Sequence, residues 1–151
     1  MGKAREMTRL SFRNVQAAFL CMLITGCANH VQYQPLLQIP GRKSGYAERE
    51  IESNTWRVIY RGVLYYDYDL IEDLATYRCA ELTLEKGYTH FYSVSPSGEW
   101  AFSDDPSAIV KYIRMTNLDN APRGAILHDA EEIRRELGEK LARYIPPVTF
   151  G

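Results

Sequence analysis

The chain has 151 residues, with 18 Lys or Arg, 19 Asp or Glu and a formal net charge of −1 at pH 7. This charge balance excludes the profile of a nucleic-acid-binding protein, because binding phosphates needs a concentrated basic patch. The length predicts a single folded domain, and three cysteines are too few for a disulfide framework.

The first 26 residues have the order of a secretory signal peptide. Four basic residues and one acid precede the apolar run Val15–Ile24. This ten-residue run is too short for a membrane span, which takes roughly 20 apolar residues. A buried helix is the alternative, but the run leads into Thr25, Gly26 and an extended, Pro-containing stretch with no helical period. The pattern therefore predicts a signal peptide, with translation starting at Met1 or Met7.

The end of this segment, Ile24-Thr25-Gly26-Cys27, resembles the bacterial lipobox. The resemblance implies cleavage between Gly26 and Cys27, S-diacylglycerol on the Cys27 thiol and an N-acyl group on its freed amine. Two or three acyl chains would hold the protein on a bilayer, since each buried CH₂ contributes about 0.8 kcal/mol. Ala28, where an Asp would retain the protein at the inner membrane in enterobacterial-type sorting, favours the outer membrane. The inner membrane stays the alternative.

Removal of residues 1–26 leaves 14 basic and 18 acidic residues, a net charge of about −4. Cys21 leaves with the signal and Cys27 is lipidated, so no intrachain disulfide is expected. Cys79 falls in a predicted helix and is expected to be a small buried hydrophobe. Residues 27–54 contain Pro and Gly without a sustained period and are interpreted as a lipidated tether and lead-in. Residues 55–151 are expected to form one domain.

The mature chain is predicted to contain four strands and two helices. In chain order these are a strand at 56–60, a helix at 70–86, strands at 88–94, 99–102 and 109–115, and a helix after Asp129. Asp67 or Asp69 is the predicted N-cap of the first helix, and Gly87 is its predicted end. The order β-α-β-β-β-α predicts an α+β two-layer sandwich, with two helices on one face of a small, mainly antiparallel sheet. It permits one right-handed parallel crossover.

The first predicted helix contains the segment YRCAELTLEKG, which begins at Tyr77. Arg78 and Glu81 lie three residues apart near the edge of its apolar face and are expected to form a structural ion pair. Removing one partner of a half-buried pair would leave an uncompensated charge. The alternative interpretation makes Arg78 an anchor for a carboxylate or phosphate.

Two motifs resemble those of an uncharacterised family of small proteobacterial outer-membrane lipoproteins. They are Gly45-Tyr46-Ala47-Glu48 and the helix Tyr77-Arg78-Cys79-Ala80-Glu81-Leu82-Thr83, in a chain with a lipobox. The family tends to have Ser in place of Ala47 and Ala in place of Cys79. The resemblance implies a lipoprotein with no assigned activity. Glu48 is hypothesised to meet Arg78, which would join the two motifs in one salt-bridged structure.

No catalytic or metal-binding constellation is predicted. The histidines, His30, His90 and His128, have no ligand spacing and no Cys beside them. The segment around Ser93 and Ser95 lacks the glycines of a nucleophile elbow. The chain is therefore expected to be non-enzymatic, with no cofactor other than the covalent lipid.

Tyr65, Tyr66 and Tyr68 form the candidate binding surface, because exposed aromatic clusters mark binding sites. The favoured function is a structural or interaction module on the periplasmic side of the outer membrane. Its expected partners are the membrane, through the acyl chains, and an envelope protein or peptidoglycan. The alternative is an envelope hydrolase, or a protein that binds glycan or peptidoglycan, using the Tyr/Asp loop 65–69.

Overall fold

The computed structural model describes residues 31, 33–36, 44–63, 67–95 and 105–146, all within one compact unit, Val31–Gly151. Four predictions concern residues outside these ranges: the signal peptide at 1–26, the lipidation at Cys27, the strand at 99–102, and the contribution of Tyr65 and Tyr66 to a binding surface.

The described residues form an α+β fold, as predicted. Its strands are β1 (Gly45–Glu52), β2 (Thr55–Arg61), β3 (His90–Ser93), β4 (Ala108–Thr116) and β5 (His128–Asp129), and its helices are α1 (Tyr68–Glu85) and α2 (Ala130–Lys140). A short 3₁₀ helix, Leu118–Asn120, follows β4. The sheet order is β1-β2-β4-β3-β5, and all these neighbours pair antiparallel.

The crossover through α1 joins two strands that run in the same direction. Both β2 and β3 pair antiparallel with β4, so they are parallel to each other while β4 lies between them. The order of strands in a split βαβ unit depends on pairing between distant segments. Strand order was accordingly beyond the reach of the sequence.

The side chains of two aspartates cap the N-termini of the helices. The Asp67 carboxylate accepts a hydrogen bond from the backbone N–H of Asp69 at 3.0 Å, and the Asp129 carboxylate accepts one from that of Glu132 at 3.0 Å. These bonds satisfy N–H groups that have no partner within a helix. Helix α1 ends before Gly87, whose φ of 80° is accessible to glycine at little cost. Of the two predicted caps for α1, Asp67 is the one used.

Both helices pack on the same face of the sheet, with two hydrophobic clusters between the layers. One cluster joins the first half of α1 to the end of α2, and the other joins the second half of α1 to the start of α2. Their fully buried side chains include Tyr60, Leu74, Leu82 and Ile113. Burial of one such side chain contributes about 1.5–3 kcal/mol, so these clusters provide the main stabilisation of the fold.

Strand β1 corrects the predicted start of the domain at residue 55. Gly45–Glu52 pairs antiparallel with β2, placing Tyr46 opposite Tyr60 and Glu48 opposite Val58. This is an edge strand, and its sequence GYAEREIE is rich in charge instead of alternating between polar and apolar residues. Charges protect a sheet edge from unwanted pairing, and here they also remove the pattern by which strands are recognised.

The segment before β1 is also part of the domain. We call residues 31 and 33–36 the lead segment. The N–H of Tyr46 donates to the carbonyl of Gln34 at 2.9 Å, and its carbonyl accepts from the N–H of Leu36 at 2.6 Å. Tyr33 is buried. The prediction of a tether throughout residues 27–54 is therefore wrong for the lead segment as well as for β1.

Gly45 allows the lead segment to approach β1. Its φ is +148°, a conformation that side chains disfavour, and an added Cβ would lie 2.5 Å from the carbonyl oxygen of Gln34. We expect Gly45→Ala to lower the free energy of unfolding by about 1–3 kcal/mol, the usual size of backbone strain. Denaturant unfolding monitored by circular dichroism measures the change.

Gly138→Ala is the matched control. Gly138 lies inside α2, and an added Cβ there would make an ordinary contact of 3.5 Å with Tyr77. Because alanine favours a helix, this variant should gain about 0.5–1 kcal/mol. Equal effects of the two substitutions would contradict the close approach at Gly45.

Candidate functional site

A buried arginine lies at the centre of a cluster of carboxylates. Arg78 is 6% exposed, and its guanidinium contacts three carboxylates. Nη2 lies 2.8 Å from Glu48 Oε1, while Nη1 lies 2.7 Å from Glu85 Oε1 and 3.2 Å from Glu81 Oε2. We call these four residues the arginine cluster. The structure thus brings together the three predicted residues and adds Glu85.

Helical spacing and strand register assemble the arginine cluster. Arg78, Glu81 and Glu85 are separated by three and four residues on α1, which places them on one side of that helix. Glu48 lies opposite Val58 in the sheet, and Val58 is buried under the helices. Directly opposite residues share a face of the sheet, so Glu48 is on the side that α1 covers.

Two tyrosines extend the arginine cluster into the lead segment. The guanidinium carbon of Arg78 lies 4.5 Å from the centre of the Tyr46 ring, a cation–π distance. The Tyr33 hydroxyl donates a hydrogen bond to the Glu81 carboxylate. The Tyr33 ring centre is 4.9 Å from that of Tyr46 and 5.2 Å from that of Tyr77. The lead segment, β1 and α1 therefore meet at one point.

The environment fixes the protonation of Arg78 and Tyr33. Burial alone would lower the pKa of Arg78, but its hydrogen bonds with Glu48 and Glu85 outweigh burial and raise that pKa above its usual range. Burial, the Glu81 charge and the hydrogen bond to Glu81 raise the pKa of Tyr33 far above its ordinary value. Arg78 is therefore a permanent cation, and Tyr33 a neutral hydrogen-bond donor, throughout the physiological pH range.

The hydrogen bonding of Arg78 argues against a ligand-binding role. A guanidinium carries five N–H donors. Nε donates to Glu48, Nη1 to Glu81 and Glu85, and Nη2 to Glu48 and Glu85, so that five hydrogen bonds use all of them. No donor is left for an anionic ligand, and the excess of carboxylates would repel one. The geometry supports the structural interpretation over the anion-anchor alternative.

Of the predicted Tyr/Asp loop 65–69, the described residues are not a loop, because Asp67 caps α1 and Tyr68 and Asp69 are its first residues. Asp67 and Asp69 line a cleft between the start of α1 and the end of α2. Tyr68 is 66% exposed. The cleft has a volume of about 470 Å³ and is lined by polar, charged and apolar side chains, namely Asp67, Asp69, Leu70, Asp73, Lys140, Leu141, Arg143 and Tyr144. Within it, Lys140 Nζ lies 2.5 Å from Asp73 Oδ2. Asp67 caps α1, so one of these two acids already has a structural use.

The remaining candidate side chains make ordinary structural contacts. Cys79 is fully buried, and burial raises the pKa of its thiol to about 12, which keeps it protonated and inert. The His128 ring lies 5.1 Å from that of Phe91, and His90 Nε2 lies 3.8 Å from Asp129 Oδ2. Within the part of the chain that the structure describes, no three side chains are grouped to hold a metal ion.

Neither Glu85 nor Tyr33 was paired with this site from the sequence, for different reasons. Helical spacing places Glu85 beside Arg78 at the edge of the apolar face of α1, but only the nearer Glu81 was paired with Arg78. Tyr33 meets Glu81 across 48 residues of chain. No local pattern signals such a contact, because it depends on the position of β1 and the lead segment in the fold.

Comparisons with protein-family models, curated proteins and solved structures find no match for this chain. Among the helices of the described ranges, none is long and apolar enough to cross a bilayer. The motifs quoted above therefore remain the basis of the lipoprotein prediction.

The arginine cluster predicts a large loss of stability on substitution of Arg78. Arg78→Ala would leave three carboxylates at a partly buried site without their cation, and it should lower the free energy of unfolding by about 3–5 kcal/mol. Arg134→Ala is the control, because Arg134 is exposed and its ion pair among the described residues is with Glu131, an interaction worth about 0.5 kcal/mol. Thermal and denaturant unfolding compare the two variants. Similar small losses would show that Arg78 is not the centre of the fold.

Proposed function

We propose that this chain is a lipid-anchored lipoprotein of the cell envelope. The observation that carries the proposal is the order of a basic segment, the apolar run Val15–Ile24, and the small residues Thr25 and Gly26 before Cys27. In this proposal residues 1–26 are removed, and Cys27 becomes an acylated first residue. Ala28 favours the outer membrane, with the domain on its periplasmic side.

The described contacts are compatible with this processing. The lead segment begins at Val31, four residues after Cys27, so cleavage before Cys27 would remove none of the residues that form the described fold. Cys79 is fully buried. Cys27 would therefore be the one accessible thiol of the mature chain before its acylation.

The described polar groups favour a structural or interaction module over an enzyme. The arginine cluster uses its hydrogen-bonding capacity internally, and the Cys79 thiol is held protonated. A nucleophile or a general base needs a reactive group directed at a substrate. The proposed module would instead use its folded surface, held close to the membrane by the acyl chains.

Acylation at Cys27 is tested by comparing Cys27→Ala with Cys21→Ala. Only the first variant removes the proposed acylation site, since Cys21 lies inside the segment to be cleaved. We expect the wild type and Cys21→Ala to incorporate a labelled fatty acid and to fractionate with the outer membrane. Cys27→Ala should lose the label and be recovered in the soluble periplasm. Labelling or membrane retention of Cys27→Ala would overturn the proposal.

The cleft beside Tyr68 supports a second candidate function, binding of a glycan such as peptidoglycan. Carbohydrate sites combine an aromatic surface with charged and hydroxyl groups. The cleft offers these through Asp69, Arg143 and Tyr144, with the exposed ring of Tyr68 next to Asp69 in the first turn of α1.

Sedimentation of the soluble Cys27→Ala protein with isolated peptidoglycan tests this second function. If Tyr68 stacks on a sugar, Tyr68→Ala should weaken binding about tenfold, the factor that corresponds to ~1.4 kcal/mol. Leu118→Ala is the control, since Leu118 is similarly exposed on the 3₁₀ helix. Absence of binding, or equal binding by both variants, would rule out this use of the cleft.

A further inference from the structure

We propose that the bilayer holding the acylated Cys27 lies against one particular end of the domain. This end, which we call the anchor end, consists of the lead segment and the turn at residues 141–146 that follows α2. The proposal rests on the lipid anchor proposed above and adds an orientation to it. Its partner is the headgroup surface of the membrane to which the chain is attached.

The lead segment is fixed to the anchor end by backbone and side-chain contacts. The Tyr33 N–H donates to the carbonyl of Tyr144 at 3.1 Å, and the Tyr33 hydroxyl donates to Glu81. Val31 is fully buried in the same hydrophobic cluster as Leu141. The chain therefore enters the domain at a defined place, beside the end of α2.

Chain length limits the distance from this entry point to the lipid. Cys27 precedes Val31 by four residues, and four fully extended residues reach at most about 14 Å. A long flexible tether would leave the domain free to rotate above the membrane. A connection this short holds the entry point near the headgroups and turns the anchor end toward them.

The opposite end of the domain is beyond this reach. Strand β1 begins beside the lead segment at Gly45 and extends for eight residues, about 25 Å, to the turn at Ser53. Helix α1 begins beside the cleft, in contact range of Leu141, and its 18 residues extend about 27 Å in length. In the proposed orientation the two ends of the domain therefore lie at clearly different distances from the membrane surface.

The side chains of the anchor end suit a headgroup surface. The Arg143 guanidinium lies 4.7 Å from the centre of the Tyr144 ring. Tyr144 and Ile145 are half-buried, and Ala142 and Arg143 are exposed. A cation beside a tyrosine matches the layer where phosphates meet the acyl chains, because Arg binds phosphate and Tyr favours membrane interfaces.

Two single-cysteine positions test the orientation in the acylated full-length protein. Ala142→Cys places a fluorophore at the anchor end, and Ser53→Cys places the same fluorophore at the opposite end. Both positions are exposed and small, and the buried Cys79 thiol should not react with the label. The labelled proteins are reconstituted into phosphatidylethanolamine and phosphatidylglycerol vesicles that carry a nitroxide on the headgroup.

We expect quenching at position 142 to exceed that at position 53 by about twofold or more, given the reach and the separation above. Inserting a Gly-Ser linker of about twenty residues between Asn29 and His30 would add a root-mean-square span of about 25 Å and should remove the difference. Equal quenching without the linker would overturn the orientation, whereas a difference that persists with the linker would support an orientation held by the side chains of the anchor end.

Mass spectrometry and vesicle flotation distinguish a wrong orientation from the absence of the lipid anchor. An acylated chain that floats with the vesicles but shows equal quenching would overturn the orientation alone. A chain that carries no acyl group and does not float would overturn the lipid anchor and the orientation together.

Discussion

The guanidinium of Arg78 lies where three parts of the chain meet: it bonds β1 and α1 directly, and it reaches the lead segment through Glu81. Its five donors reach Glu48 on β1 and Glu81 and Glu85 on α1, and Glu81 also accepts from Tyr33 in the lead segment. A charge this deeply buried is tolerated only with complete compensation, because an unpaired buried charge costs several kcal/mol. The need to compensate this buried charge thus holds the edge strand and the lead segment in place. An exposed ion pair, whose partners are solvated by water, would impose no such need.

This constraint connects the fold to the proposed location. Tyr33 lies six residues after Cys27, and its hydroxyl is bound to the arginine cluster. The segment that would leave the membrane is therefore part of the core packing.

The cleft shares Leu141, Arg143 and Tyr144 with the anchor end, so the proposed orientation would turn the cleft toward lipid. Peptidoglycan binding at the cleft and the proposed orientation consequently compete as explanations of this surface.

Local sequence signals predicted the elements that depend on local physics. Helix α1, its end at Gly87 and the Asp129 cap all follow from periodicity and helix-end chemistry. Helical spacing likewise predicted the Arg78–Glu81 contact. The Arg78–Glu48 contact followed from a hypothesis built on the two motifs.

What the sequence did not reveal depends on tertiary structure. Strand β1 was missed because its charged residues protect a sheet edge and hide the alternation of a strand. The lead segment was interpreted as a tether because its partners, Tyr46 and Tyr144, lie far along the chain. Such contacts depend on the tertiary arrangement of the sheet and the helices, so no window of neighbouring residues encodes them.

Amide hydrogen exchange in the soluble Cys27→Ala protein tests most directly whether the lead segment belongs to the folded domain. The informative amides are those of Tyr33, Leu36 and Tyr46, which donate to Tyr144, Tyr46 and Gln34 respectively. We predict protection of all three comparable to that of the β1–β2 ladder, because opening them requires separating the lead segment from the core. Exchange of the Tyr33 and Leu36 amides at the rate of an unstructured chain, with β1 still protected, would contradict the account.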